Sequence, residues 1–254
     1  MNDTPVKSLH LARRRQLNDT QWLEAMGIDP FWIESPADQR LAPQAAQAPK
    51  PAASAHQAVT ADQAPAGDWN SLEAAIRACR GCALCKGRKQ AVPGSGDRQA
   101  TWMMVGEAPG AEEDAAGLPF VGKAGKLLDA MLAALNLKRE QGVYIANAIK
   151  CRPPENRTPE STEIDACNHF LTQQIELVQP EVIVALGKPA AYALLGHADS
   201  IHSLRGAVQY HEQAGRRIPV IVTYHPAYLL RQPEEKWKSW QDLLLAASVL
   251  GGQK

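Results

Sequence analysis

The sequence predicts an α/β fold, a three-layer αβα sandwich around a short, mainly parallel four-stranded sheet. Three observations carry that prediction. Four short runs of apolar or β-branched residues recur, TWMMV (101–105), VYIAN (143–147), EVIVAL (181–186) and PVIVTY (219–224), each bounded by turn residues. Helical patterns lie between them, and strands that alternate with helices pair in parallel with both faces covered. Gly, Pro, His, Asn and Glu cluster where each run ends, beyond the carboxyl ends of the strands, where such sheets bind ligands.

In chain order, residues 1–35 come first. The start MNDTPVKSLHLARRR has no apolar core and no small-residue cleavage site, and no run of apolar residues long enough to span a bilayer occurs in the sequence. A cytoplasmic protein with no membrane partner is expected. The basic cluster Arg13, Arg14 and Arg15 precedes a small amphipathic element with Trp22, Leu23, Met26, Ile28, Phe31 and Trp32. Large apolar residues on a tethered peptide read as a docking motif, since free exposure would be a liability. Residues 36–68 are Ala- and Pro-rich, with no aromatic and only Leu41 and Val59 as branched aliphatics. Such a stretch buries too little apolar surface to offset backbone entropy, so a disordered linker is expected, with the globular domain over 69–254.

The formal net charge is zero, 27 basic against 27 acidic side chains. Residues 1–68 hold six basic and eight acidic groups, which leaves the domain at 21 basic and 19 acidic. A local excess runs from Arg77 to Arg98, through Arg80, Lys86, Arg88 and Lys89, against Asp97 alone. Any polyanion would therefore meet a local surface rather than a global field.

The domain opens on WNSLEAAIRAC, a helix pattern that Asp68, Asn70 or Ser71 would cap. Next comes CRGC. Five Cys (79, 82, 85, 151 and 167) is an odd number, and in a reducing compartment a metal or catalytic role takes precedence over disulfides. Cys79 and Cys82 have the spacing of a two-point grip, and Cys151 and Cys167 supply further thiolates; four Cys suit zinc or an iron–sulfur cube equally. Cys167 also reads as an apolar residue on a helix face with Ile164 and Leu171. The first strand run leads into GEAPGAEEDAAGLPFVGKAGK and a helix over 123–135. The second ends at Asn147 and leads into IKCRPPENRTP, then a helix over 158–178 with Thr158 as cap and Pro159 at its first position. The third leads into GKPAA and a helix over 188–196, and the fourth into HPAYLLR.

The segments GEAPGAEEDAAGLPFVGKAG, NAIKCRPPENRTP and HPAYLLR, in this order and with CRGC upstream, resemble the family 4 uracil-DNA glycosylases, the iron–sulfur members of the uracil-DNA glycosylase superfamily. The resemblance covers about residues 73 to 250. It implies a uracil-DNA glycosylase-like fold, a [4Fe–4S] cluster held by Cys79, Cys82, Cys151 and Cys167 with Cys85 a bystander, and hydrolysis of the bond joining uracil to deoxyribose. Uracil within a duplex is unreachable, so such an enzyme flips it out and holds it by stacking and by its edge. The resemblance makes Phe120 the stacking platform. The amide of Asn147 donates and accepts simultaneously, as the O4 and N3–H edge of uracil requires. His225, matching the family's His, is expected to donate to uracil O2 as negative charge develops there. Glu107 is the carboxylate nearest the bond, there to stabilise an oxocarbenium-like sugar or to position water, and Glu113 shapes the pocket against a thymine methyl group. The best-known uracil glycosylases have an Asp where this chain has Ala108.

For DNA, Gly106 and the later loop glycines allow close backbone approach, Lys123 opens a helix at its positive end, and Leu229, Leu230 and Arg231 follow His225 on a loop where an apolar wedge and a phosphate contact are expected, the alternative for the two leucines being the first turn of a buried helix. Relatives that trap their product covalently carry an inserted basic loop with a His after the strand-two Asn; NAIKCRPPENRTP has neither, so turnover is expected. The expected partner is uracil-containing DNA, and the expected state a monomer active in base excision repair. The run LEAMGIDPFW is similar to the N-terminal peptide by which the psi subunit of the bacterial clamp loader binds its partner, so residues 17–35 are expected either to dock on a clamp-loader or other replisome protein or to fold back on the glycosylase domain. The alternative reading is a catalytically weak uracil or DNA-damage binding protein with a structural Fe–S cluster. An iron–sulfur electron carrier would explain the Cys but not Asn147, Phe120 or HPAYLLR.

Overall fold

The computed structural model describes residues 68–197 and 199–251. The docking peptide and the linker expected over 1–35 and 36–68 lie outside the described residues, apart from Asp68. That residue caps the first helix, α1 (Trp69–Ala78): its side chain accepts the N–H groups of Asn70 at 2.7 Å and Ser71 at 2.9 Å.

Among the described residues the sheet has six strands, not four. β1 (Ser95–Gly96), β2 (Trp102–Gly106), β3 (Val143–Asn147), β4 (Val182–Leu186), β5 (Val208–Gln213) and β6 (Arg216–Thr223) stand in the order β1-β3-β2-β4-β6-β5. The four anticipated strands form the parallel centre. β1 and β5 close the two edges by antiparallel pairing. β2, β3 and β4 are buried throughout, as strands covered on both faces must be. Alternate residues divide between two faces. Met103, Val105, Tyr144, Ala146, Ile183, Ala185, Val220 and Val222 share one core cluster with Leu72 and Ile76 of α1, with Phe170, Leu171 and Ile175 of α4 (Ser161–Val178), and with Ala190 and Leu194 of α5 (Lys188–Leu195). The opposite face packs under α8 (Lys236–Gly251), which lies against β4 and β6.

The remaining helices are α2 (Ala111–Ala116), α3 (Lys123–Ala134), α6 (Ile201–Leu204) and α7 (Pro226–Arg231). Two expectations need correction here. The helix expected from Thr158 begins at Ser161. Residues 226–231 are helix rather than loop, and Leu229 is 1% exposed, so it belongs to the core and cannot wedge into DNA. Leu230, the next residue, is 44% exposed.

The order of the sheet decides where a ligand can sit. The chain runs from β2 outward to β3 and then returns to place β4 on the other side of β2. A crevice opens where that direction reverses, at the carboxyl ends of the strands. Register pairs Gly106 with Asn147 and Leu186 with Thr223, so the ends of β2 and β3 are level with each other, as are those of β4 and β6. Among the described residues no helix is long and apolar enough to cross a membrane.

Candidate active site

A cavity of about 680 Å³ opens at the carboxyl ends of the parallel strands, within the range of small-molecule sites. It brings together Glu107, Glu113, Phe120, Asn147, His225 and Arg231 of the residues singled out in the sequence. Lys123 and Leu230 are exposed outside its lining, at the first position of α3 and on α7.

Asn147 ends β3 and is 2% exposed, and its Oδ1 has no hydrogen-bond partner although it is buried. A buried acceptor left unmatched costs about 1–3 kcal/mol, so one facing a cavity points to a ligand donor. Its backbone is fixed from behind: Lys150 Nζ donates to the Asn147 carbonyl at 2.7 Å and to Gln174 Oε1 at 2.6 Å. Gln174 in turn donates to the Pro93 carbonyl at 2.6 Å.

Phe120 is 5% exposed, and its ring stacks on that of His225 with centroids 5.5 Å apart and planes 27° apart. The ring also lies against Gly106, where a Cβ would overlap both it and Asn147 Oδ1. Gly106 is thus needed for clearance, a role distinct from backbone approach to phosphate. Phe120 has φ +53°, a left-handed conformation that costs a non-glycine residue about 1–3 kcal/mol and persists only where surroundings enforce it. Glu113 supplies part of that enforcement. Its carboxylate accepts the N–H groups of Val121 at 2.9 Å, Gly122 at 3.0 Å and Gly110 at 3.1 Å. Through these bonds Glu113 holds the loop that carries Phe120.

His225 caps α7, and its Nδ1 accepts the Ala227 N–H at 3.1 Å. That bond assigns the neutral ring's proton to Nε2. Burial and then the Arg231 charge push its pKa down to about 4, with Glu113 pulling the other way, so at neutral pH the imidazole is an uncharged donor. Burial raises the pKa of Glu107, while a hydrogen bond with the Thr158 side chain and the Arg231 charge draw it back. Thr158 was the residue expected to cap α4; it faces Glu107 instead. Its placement before Pro159 mimics a cap, and nothing local in the sequence distinguishes the two roles. Ala108 also lines the cavity.

The thiols form a second centre. All five cysteines, Cys79, Cys82, Cys85, Cys151 and Cys167, line one small cavity, and none of them is in a disulfide. The sulfurs already receive donors: Gly81 N–H to Cys79 Sγ at 3.3 Å, and Arg88 Nη1 to Cys151 Sγ at 2.9 Å. Burial pushes the Cys167 thiol up to about 12, against the pull of Lys150. Lys150 is 1% exposed, and its hydrogen bonds reach only neutral oxygens, the Asn147 carbonyl and the Gln174 amide. Burial pulls the Lys150 pKa down to about 8, and the Cys167 and Cys151 thiols pull it back up. Among the described residues no three His, Cys, Asp or Glu side chains are set to hold a single metal ion. Five soft thiol donors around one cavity, beside Arg88 and Lys150, are the donor type of thiolate-held metals and clusters.

The basic run from Arg77 to Arg98 is more committed than its sequence implies. Arg77 and Arg98 both pair with Glu73, at 3.1 and 2.8 Å. Arg88 also donates to the carbonyls of Arg77 and Cys79, and Arg80 to those of Ala78 and Cys79. These guanidinium groups brace the thiol loop.

The sequence profile described as the uracil DNA glycosylase superfamily matches residues 93–244. A Type-4 uracil-DNA glycosylase of Pyrobaculum aerophilum is 43% identical over 182 residues, 70% of this chain and 92% of that protein. Those of Archaeoglobus fulgidus and Thermotoga maritima are 45% identical over 163 residues and 46% over 158, covering 63% and 61% of this chain and 81% and 80% of theirs.

Proposed function

The chain belongs to the uracil-DNA glycosylase superfamily, and we propose from that premise how its residues carry out the family's reaction, the hydrolysis that frees uracil from DNA in repair. The observation that carries the reading is a buried, unpartnered Asn147 Oδ1 facing a cavity whose wall is the stacked pair Phe120 and His225.

A flipped uracil stacks on Phe120. Asn147 accepts the N3–H through Oδ1 and donates to O4 through its amide nitrogen; cytosine, with an acceptor at N3 and a donor at its amine, mismatches both. As the bond between uracil N1 and the sugar C1′ breaks, the electron pair passes to the base, and His225 Nε2–H stabilises the charge at O2. An uncharged imidazole suits this task, because it donates without protonating the leaving base. Glu107 faces the sugar, stabilises its developing positive charge and orients the water whose oxygen ends on C1′. The products are uracil and an abasic site. Leu230 fills the gap in the stack, and Arg231 and Lys123 contact phosphates.

Cys79, Cys82, Cys151 and Cys167 hold a [4Fe–4S] cluster, with Cys85 outside the ligand set. The donor set, the N–H groups on sulfur and the placement of Lys150 beside the Cys151 and Cys167 thiols support this assignment. The bound group would supply cross-links between distant loops rather than redox chemistry. The enzyme acts as a cytoplasmic monomer, and residues 17–35 dock on a replisome protein; capture of clamp-loader proteins by residues 1–35, lost on changing Trp22 and Trp32 to Ala, tests the second point.

The test of the activity is alkaline cleavage of a uracil-containing oligonucleotide after incubation with the protein. Wild type leaves alkali-labile sites, and Asn147→Ala and His225→Ala slow their formation by about 10²- to 10³-fold, the usual cost of losing one preorganised donor. Binding without cleavage by the wild type would support the damage-binding reading instead.

A further inference from the structure

Arg139 lies outside every motif named above, in the turn between α3 and β3, yet its guanidinium reaches back to the loop that carries Phe120. Nη2 donates to the Phe120 carbonyl at 2.6 Å and to the Gly125 carbonyl at 3.3 Å, and Nη1 donates to the Pro119 carbonyl at 3.0 Å. Nε is paired with Asp129 at 2.5 Å. The planar fork thus spends its donors on three carbonyls and one carboxylate, a geometry that Lys, a single point charge, cannot reproduce.

These carbonyls flank the residue whose backbone is strained. Phe120 stands at φ +53°, and Gly125 approaches its carbonyl so closely that a Cβ there would overlap it. Glu113 holds the N–H side of the same turn, at Val121 and Gly122. Arg139 holds the carbonyl side. Between these two opposed charges the ring of Phe120 is aimed at His225 and across Gly106.

We propose that Arg139 is a positioning residue for uracil: by clamping the 119–125 turn it fixes the plane of the Phe120 platform, and so sets the affinity of the pocket for the flipped base. The proposal rests on the glycosylase reading above. Asp129 is the outer support of the clamp, half exposed, and its loss leaves all three carbonyl contacts in place.

The test is calorimetric binding of free uracil to the full-length protein, which needs no turnover. Alongside it run the single-turnover rate on uracil-containing DNA and the affinity for a duplex with a stable abasic-site analogue. Arg139→Ala is expected to weaken uracil binding tenfold or more and to slow the single-turnover rate by a similar factor, with abasic-duplex affinity within twofold of wild type. Arg139→Lys recovers part of the loss, and Asp129→Asn stays within threefold of wild type. If Arg139→Ala does not fold, Arg139→Gln carries the same prediction. Uracil affinity within twofold of wild type in the folded Arg139 variants would overturn the proposal. So would an equal loss of abasic-duplex affinity, which would mark a general loosening of the site. Failure of the wild type to release uracil would count against the glycosylase reading, whereas the calorimetric comparison would still decide the role of Arg139.

Discussion

At the scale of single residues, the site depends on ionisation states and a tautomer that neighbouring groups set. His225 is kept neutral by burial and by Arg231, and its tautomer is set by the Ala227 N–H. Arg231 acts on Glu107 in the opposite sense to burial. In the proposed mechanism Glu107 must be ionised to face a developing cation, so the rate falls as pH drops through its raised pKa. Removing Arg231 removes a lowering influence. The acid limb of the single-turnover pH profile should therefore move to higher pH in Arg231→Ala, and a limb that stays in place or moves down would refute this electrostatic role. Most of these residues were legible because they sit in long motifs at strand ends. Thr158 and Arg139 were not: each acts on a residue distant in sequence, and local pattern gives Thr158 the look of a helix cap and Arg139 that of a turn cation. Leu229 was misread for a related reason, since HPAYLLR alone does not say which of two adjacent leucines faces inward.

At the scale of elements, the four parallel strands were readable because burial on both faces demands continuous apolar runs. The edges escaped for physical reasons. β1 has only two residues, and VQYHEQ of β5 alternates half-buried and exposed positions with polar side chains, so neither resembles a core strand. β2 and β3 meet the pocket at Gly106 and Asn147, paired in register. That pairing places Phe120, Asn147 and the end of β2 in contact through a position with room only for hydrogen. Gly106→Ala forces the Phe120 ring or the Asn147 amide to move, at about 1–3 kcal/mol of overpacking. Uracil excision is expected to fall by more than about tenfold, since a displacement near 1 Å in a positioned site costs up to about 10² in rate. Thermal unfolding with single-turnover assays checks this, and wild-type activity in Gly106→Ala would show that the contact does not position the base.

At the scale of the whole molecule, two centres share one segment of chain. The stretch from Asn147 to Cys151 joins the base-reading amide to a thiol, with Lys150 between them bonded to the Asn147 carbonyl. Cys79 and Cys82 lie far in sequence from Cys151 and Cys167, so a group bound to all four closes long loops and stabilises the fold. On the proposed cluster reading, removal of iron by oxidation and chelation lowers the melting temperature by more than about 5 °C, given about 2–4 °C per kcal/mol for a domain of this size. An unchanged melting temperature after demonstrated loss of iron would exclude a stapling role. The balanced net charge, together with arginines spent on Glu73 and on the thiol loop, leaves few cations for phosphate. In the proposed reading recognition then rests mainly on the pocket, where the Asn147 amide rejects cytosine, and thymine, which shares uracil's O4 and N3–H edge, is told apart only by its 5-methyl group. The most direct test is to identify the free base released by the wild-type protein from oligonucleotides carrying a single uracil, cytosine or thymine. Release of uracil from the first, with no base released from the other two, is the predicted result; no release from any of them, or release of cytosine at a comparable rate, would contradict it.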